Sequence, residues 1–262
     1  MSPPLDGSPS LDRATVLGID CFRGDLDAAA TAVIERVRSG QGGYACLCNV
    51  HVLMTAQRNA EVLAALHDSW VVFPDGAPVA RLIPRSSDYP RPHRIGGPDL
   101  MPVVLDRSRA DGIRHGLYGS TPEVVHRLRR HVERQYPGIH VPVSIAPRFG
   151  RLDDDEVLGH LAEIERGRVD VLWVALGAPR QELWMARYSD RLPSTVVIGV
   201  GAAFDFLAGT KPRAPRWMQG SGLEWAHRFA SEPRRLGRRY LVTNARFVAA
   251  AGHEVLRRHF RP

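Results

Sequence analysis

Val169-Asp-Val-Leu-Trp-Val-Ala-Leu176, running straight into Gly177-Ala-Pro-Arg-Gln-Glu182, is the stretch that decides the fold. An apolar run of this length, bounded by a glycine, fits a strand covered on both faces. Pro179 suits the first turn of a helix that the pattern carries to Tyr188. Thr195–Val200 is the next apolar run. Strand, turn, helix and strand in this order form the repeating unit of a parallel sheet.

The same alternation extends toward the N-terminus. Ala14–Ile19 is a short apolar run, Leu26–Arg38 has helical spacing, and Tyr44–Cys48 reads as a buried strand. Val52–Leu66 reads as one helix, Trp70–Phe73 as a strand closing on Pro74-Asp75-Gly76, and Ala77–Ile83 as helix. Pro84–Pro98 is a proline-rich loop before a helix over Asp99–Arg109. Ile113–Tyr118 is a strand, and Ser120 or Thr121 caps a helix that begins at Pro122 and runs to Gln135. Ile139–Ile145 is a strand and Asp153–Glu165 a helix whose acidic start complements the dipole. The pattern predicts an α/β fold: a mostly parallel, Rossmann-like sheet flanked by helices, with a C-terminal basic helical appendage. Residues 1–13 are expected to be disordered, 14–209 to form the core and 210–262 the appendage.

Composition narrows the class. With 44% hydrophobic and 24% charged residues the chain is an ordinary globular protein. Its net charge of +7 is unevenly spread: from Lys211 onward twelve Lys/Arg face three acids, whereas the first 210 residues hold twenty-three and twenty-five. Interleaved with Trp217, Trp225, Phe229, Tyr240, Phe247 and Phe260, those bases suit an anionic membrane surface or a phosphorylated substrate. The bland alternative is a solvated helix face. Residues 1–13 show no signal-peptide pattern, and no apolar run approaches the ~20 residues of a membrane span. A cytoplasmic protein, or one peripheral on the inner membrane face, is expected. Cys21, Cys46 and Cys48 have no metal-ligand spacing and read as small buried hydrophobes.

In a parallel sheet ligands bind beyond the carboxyl ends of the strands. That rule gathers Asn49, Asp75, Gly119, Gly177–Gln181 and Gly201–Asp205 at one edge. Asp75, on a turn directly after a strand, is placed either to accept a substrate proton or to cap the next helix. The helix start after Gly177 offers N–H groups to a phosphate or sugar oxygen. Gln181 is expected to contact the ligand; Glu182 either does so or complements the helix dipole. Arg94, Arg213, Arg216, Arg234, Arg235 and Arg238 can bind phosphates bidentately. His51, His93 and His227 lack a partner at metal-ligand spacing, so no metal and no cofactor are expected. The absence of Gly-x-Gly-x-x-Gly after the first strand argues against a dinucleotide-dependent oxidoreductase. A nucleic-acid-binding reading of the basic segment leaves the ordered Gly, Gln and Glu motifs without a purpose, so no nucleic-acid partner is expected.

The motifs, in this order, resemble the WecG/TagA/CpsF glycosyltransferases (glycosyltransferase family 26). The likeness rests on Asn49, Asp75-Gly76, Arg94–Leu100, Tyr136–Gly138, Gly177–Glu182, Gly199–Asp205, Ala208-Gly209, Arg213–Trp217, Leu223–Trp225, Glu232–Arg235 and Arg239-Tyr240. The resemblance implies an inverting, metal-independent hexosyltransferase of bacterial surface-polysaccharide biosynthesis. A sugar, N-acetylmannosamine-like, glucose-like or a uronic acid, would pass from a UDP-sugar donor to a polyprenyl-diphosphate-linked acceptor. Asp75 would be the catalytic base. Asn49, Arg94, Asp99, Gly119, Gly177, Gln181, Glu182, Gly201, Asp205, Arg213, Arg216, Arg234, Arg235 and Arg238 would bind substrate, the last ones from a membrane-facing appendage. Leu47 and Gly96 stand where the family often has threonine, both near the expected donor sugar. The oligomeric state is left open.

Overall fold

The computed structural model describes residues 11–86, 88–89, 93–150, 153–215, 218, 243–244, 246–254 and 256–257. Arg216, Arg234, Arg235 and Arg238, with most of the aromatic residues of the appendage, lie outside the described residues.

Eight strands form one sheet: β1 (Arg13–Val16), β2 (Ile19–Phe22), β3 (Gly43–Cys48), β4 (Val71–Pro74), β5 (Arg114–Gly119), β6 (His140–Ile145), β7 (Val171–Ala175) and β8 (Val196–Gly199). Their spatial order is β1-β2-β4-β3-β8-β7-β5-β6, and every neighbouring pair is parallel except β1 with β2. The expected α/β architecture is therefore present.

The central strands read as continuous apolar runs because both faces are covered, and the period of two divides their side chains between two cores. In β3, Tyr44, Cys46 and Cys48 face one core while Ala45 and Leu47 face the other. In β7, Leu172 and Val174 take the first side, Val171 and Trp173 the second. The first core is closed by α2 (Val50–Ala56), α3 (Ala60–His67), α7 (Asp154–Arg166) and α8 (Arg180–Tyr188). The second is closed by α1 (Leu26–Arg38), α5 (Gly97–Arg107), α6 (Pro122–Gln135) and α9 (Ala203–Leu207), while α4 is the short Ala77–Ala80 turn. The helix at 246–254 adds Phe247 to the first core, so the described end of the appendage packs on the α/β body.

Several elements differ from expectation. The Ala14–Ile19 run is not one strand but the middle of a hairpin, which turns at Leu17 (φ 48°) and Gly18 (φ 83°). Two central residues with positive φ give the tight turn that matches strand twist. Within the stretch expected to be disordered, Arg13 opens β1 and Asp12 accepts two hydrogen bonds from the Arg23 guanidinium at 2.8 and 2.7 Å. The single helix expected over Val52–Leu66 is two helices, because Asn59 caps a fresh start by accepting from the Val62 N–H at 3.0 Å. Thr121, not Ser120, caps α6. Pro179 is the cap of α8 and not its first residue. The three cysteines are buried as expected, and burial pushes their thiols up, Cys21 to about 12.

Candidate active site

The carboxyl ends of β3, β4, β5, β6, β7 and β8 open onto one cleft of about 1100 Å³. Asn49, Asp75, Arg94, Gly177, Gln181, Gly201 and Asp205 line it together, although they come from five separate stretches of the chain. Asp99, Gly119, Glu182 and Arg213 are absent from the lining and stand directly behind it.

Backbone hydrogen bonds set the spacing of the first three. The Asp75 N–H donates to the Cys48 carbonyl at 3.0 Å, and the Ile95 N–H donates to the Pro74 carbonyl at 2.8 Å. The residues after β3, at the end of β4 and before α5 are thereby held side by side. Asn49 caps α2: its Oδ1 accepts from the His51 and Val52 N–H groups at 3.0 and 3.2 Å. With its oxygen committed to the cap, the amide must present its nitrogen outward, and Nδ2 donates to Asp75 Oδ2 at 3.4 Å. The cap position of α4 is Gly76, not Asp75, and carries no side-chain hydrogen bond. The helix-cap position that the sequence left open to Asp75 is thus held by its neighbour.

A second cluster adjoins the first. Arg94 lies 3.0 Å from Asp99 Oδ2, and Arg213 lies 2.7 Å from Asp99 Oδ1. One carboxylate thus bridges two guanidiniums, one from the core and one from the root of the appendage. Gly96 sits between the clusters: a Cβ there would stand 3.2 Å from Asp75 Oδ1 and 3.3 Å from Asp99 Oδ2. Leu47, the other residue that departs from the family pattern, also lines the cleft.

The third group is Gln181 with Glu182. Gln181 Nε2 donates to Glu182 Oε1 at 2.9 Å. Glu182 is fully buried beneath the cleft, and burial pushes its carboxyl up. Gln181 thus stands between it and the cleft. Gly199 makes room for this pair, since a Cβ there would approach Gln181 Nε2 to 3.0 Å and Met185 Cε to 2.8 Å. Gly199, which itself lines the cleft, thus has a packing reason to lack a side chain. Gly119 (φ 123°) has a similar packing cause, with the Ala175 carbonyl oxygen 2.5 Å from where a Cβ would stand.

Sequence reasoning missed other parts of the rim. Lys211, 3.9 Å from Asp205 Oδ1, lines the cleft with Thr243, Asn244 and Phe247 of the appendage. Phe149 is 95% exposed at the opposite side, with the Arg180 guanidinium 5.4 Å from its ring centroid. No local pattern marks these residues, because tertiary placement alone brings them to the rim. Among the described residues no group of three or more His, Cys, Asp or Glu is placed to hold a metal, and no helix is long and apolar enough to cross a membrane.

The sequence profile of the glycosyl transferase WecG/TagA/CpsF family matches residues 14–261. The chain belongs to that family. It is accordingly a glycosyltransferase of surface-polysaccharide biosynthesis. The match runs through the appendage to residue 261. The basic segment is thus part of the family's sequence and not a foreign extension.

Proposed function

We propose that this glycosyltransferase transfers a hexosyl unit from a UDP-sugar to a polyprenyl-diphosphate-linked acceptor with inversion, Asp75 acting as general base. The acceptor hydroxyl oxygen forms the new bond to the anomeric carbon while the bond from that carbon to the diphosphate oxygen breaks. The hydroxyl proton goes to the Asp75 carboxylate, and UDP departs with the electron pair of the broken bond. Arg94 and Arg213, with Arg216, Arg234, Arg235 and Arg238 from the appendage, offset the charge that develops on the leaving diphosphate. These fixed cations supply what a metal would otherwise supply, so the reaction is proposed to need none. Residues 210–262 bring the protein to the anionic inner face of the membrane, at about 1 kcal/mol per near-surface base. The transferred sugar is N-acetylmannosamine-like, glucose-like or a uronic acid.

The observation that carries this reading is the placement of Asp75: it lines the cleft, is not the cap residue of α4, and is steadied by an Asn49 amide that is itself fixed by a cap. A carboxylate at that place can accept a proton from a substrate bound in the cleft. Asp75→Asn keeps the shape and removes the base, so transfer to a lipid-linked acceptor is expected to fall by about 10²–10⁴-fold. A folded, vesicle-bound Asp75→Asn protein that transfers at near-normal rates would end the proposal. A thermal-shift screen of UDP- and GDP-sugars identifies the donor class independently, because stabilisation follows the logarithm of ligand concentration over Kd.

A further inference from the structure

Gln181 is 4% exposed although it lines the cleft. Its amide has one defined polarity. A carboxylate offers only acceptors, and a carboxyl protonated on Oε2 still presents Oε1 as one. Gln181 therefore turns its nitrogen to Glu182 Oε1, at 2.9 Å, and its oxygen away. That oxygen lies toward Gly201, where a Cβ would stand 3.5 Å from it. Among the described residues Gln181 Oε1 has no hydrogen-bond partner, although it is buried.

A buried acceptor without a donor is unfavourable, and a ligand that brings one gains by satisfying it. The chemistry of that ligand group is constrained. The diphosphate oxygens of a nucleotide-sugar carry no proton near neutral pH, so they cannot donate to Oε1. A sugar hydroxyl or an acetamido N–H can. A contact to the nucleoside's own donors, its ribose hydroxyls or the uracil N3–H, would act equally on UDP and UDP-sugar, which the test below separates.

We infer that Gln181 Oε1 is a specificity-determining acceptor for a hydroxyl or acetamido N–H of the transferred sugar. Glu182 is the positioning residue that fixes the amide's polarity. The sequence alone had pointed the start of α8 at a phosphate or sugar oxygen; the orientation of Gln181 selects a sugar proton instead. This inference rests on the nucleotide-sugar reading above.

The test measures Kd by calorimetry for UDP and for UDP-glucose, UDP-N-acetylglucosamine, UDP-N-acetylmannosamine and UDP-glucuronate, with wild type, Gln181→Met and Glu182→Gln. Gln181→Met retains the volume and removes the acceptor. It is expected to weaken the best-bound UDP-sugar by about 5- to 50-fold, the cost of an unmet sugar donor, while UDP alone changes less than about twofold. Glu182→Gln can either accept from or donate to the amide, so it is expected to give a smaller loss confined to the UDP-sugar. Equal losses for UDP and UDP-sugar would place the acceptor against the nucleotide and overturn the assignment. Unchanged affinities for both in Gln181→Met would overturn it as well. If Gln181→Met does not fold, Glu182→Gln decides: unchanged sugar affinity there refutes the positioning role and the fixed polarity it implies. A wild-type protein that binds none of these ligands would instead remove the proposed function, and this inference with it.

Discussion

Acid should weaken this fold through one histidine. His115 is fully buried on β5, with Trp173 Nε1 donating to its Nδ1 at 3.1 Å and Ser108 Oγ at 2.8 Å from its Nε2. Since Nδ1 accepts from the indole, the ring proton sits on Nε2 and is donated to Ser108, whose hydroxyl reaches the Leu105 carbonyl at 3.3 Å. The neutral ring is satisfied at both nitrogens. A second proton would set an N–H against the indole N–H in a fully buried site. Burial accordingly lowers the His115 pKa from 6.5 to about 3. The unfolded chain then binds a proton that the native protein refuses, so this stabilisation is complete above pH 6.5 and is lost as pH falls from there toward 3. At pH 5 the unfolded imidazole lies about 1.5 units below its pKa, which at 1.36 kcal/mol per unit gives a loss of about 2 kcal/mol. Urea unfolding at pH 7, 6, 5.5 and 5, followed by circular dichroism, reads this directly. His115→Asn is expected to be less stable than wild type at pH 7 and to lose about 2 kcal/mol less than wild type between pH 7 and 5. The subtraction cancels the carboxylates, among them Glu182, whose raised pKa acts in the opposite direction. Parallel losses in the two proteins would refute the reasoning.

Gly199→Ala is expected to cost about 1–3 kcal/mol by overpacking and to lower transfer at least tenfold, because the new methyl displaces the Gln181 amide from Glu182. Thermal unfolding and steady-state transfer assays check both, and full activity would show that the room beside β8 is not needed for Gln181. Removing residues from 230 onward is expected to abolish transfer and sedimentation with anionic vesicles while circular dichroism still reports the α/β core. Its Tm should fall all the same, because Phe247 is a buried member of the first core. Unaltered transfer to a lipid-linked acceptor would dismiss the appendage from the reaction.

The strands and helices with long apolar runs were legible in the sequence because β3, β7 and β8 are covered on both sides and α1 and α6 follow a strict period. The hairpin was not, since Ala-Thr-Val-Leu-Gly-Ile contains no polar break to show that the chain reverses at Leu17-Gly18. For the site, the rule that ligands sit beyond strand ends gathered Asn49, Asp75, Gln181 and Asp205 correctly at one cleft. It could not rank them by depth. Gln181 and Glu182 are adjacent in a first helical turn, yet one lines the cleft and the other is buried beneath it. Nor could it reveal why Gly199 is glycine, because the atoms it accommodates belong to α8, a different element.

The boundary between core and appendage also changes meaning. In the sequence it is a shift in charge near residue 210, which suggests a separable basic cover. In the structure Arg213, at the root of that cover, grips the same Asp99 that holds Arg94 beside Asp75. Asp99 thus ties a core loop and the root of the cover together at the edge of the cleft. A ligand diphosphate that draws either arginine must compete with Asp99, and it then acts on the core loop and on the appendage through the same side chain. On the proposed reading Asp99 couples donor binding to the Arg213 segment, and its position directly after the proline-rich loop gave no sign of a second partner 114 residues away.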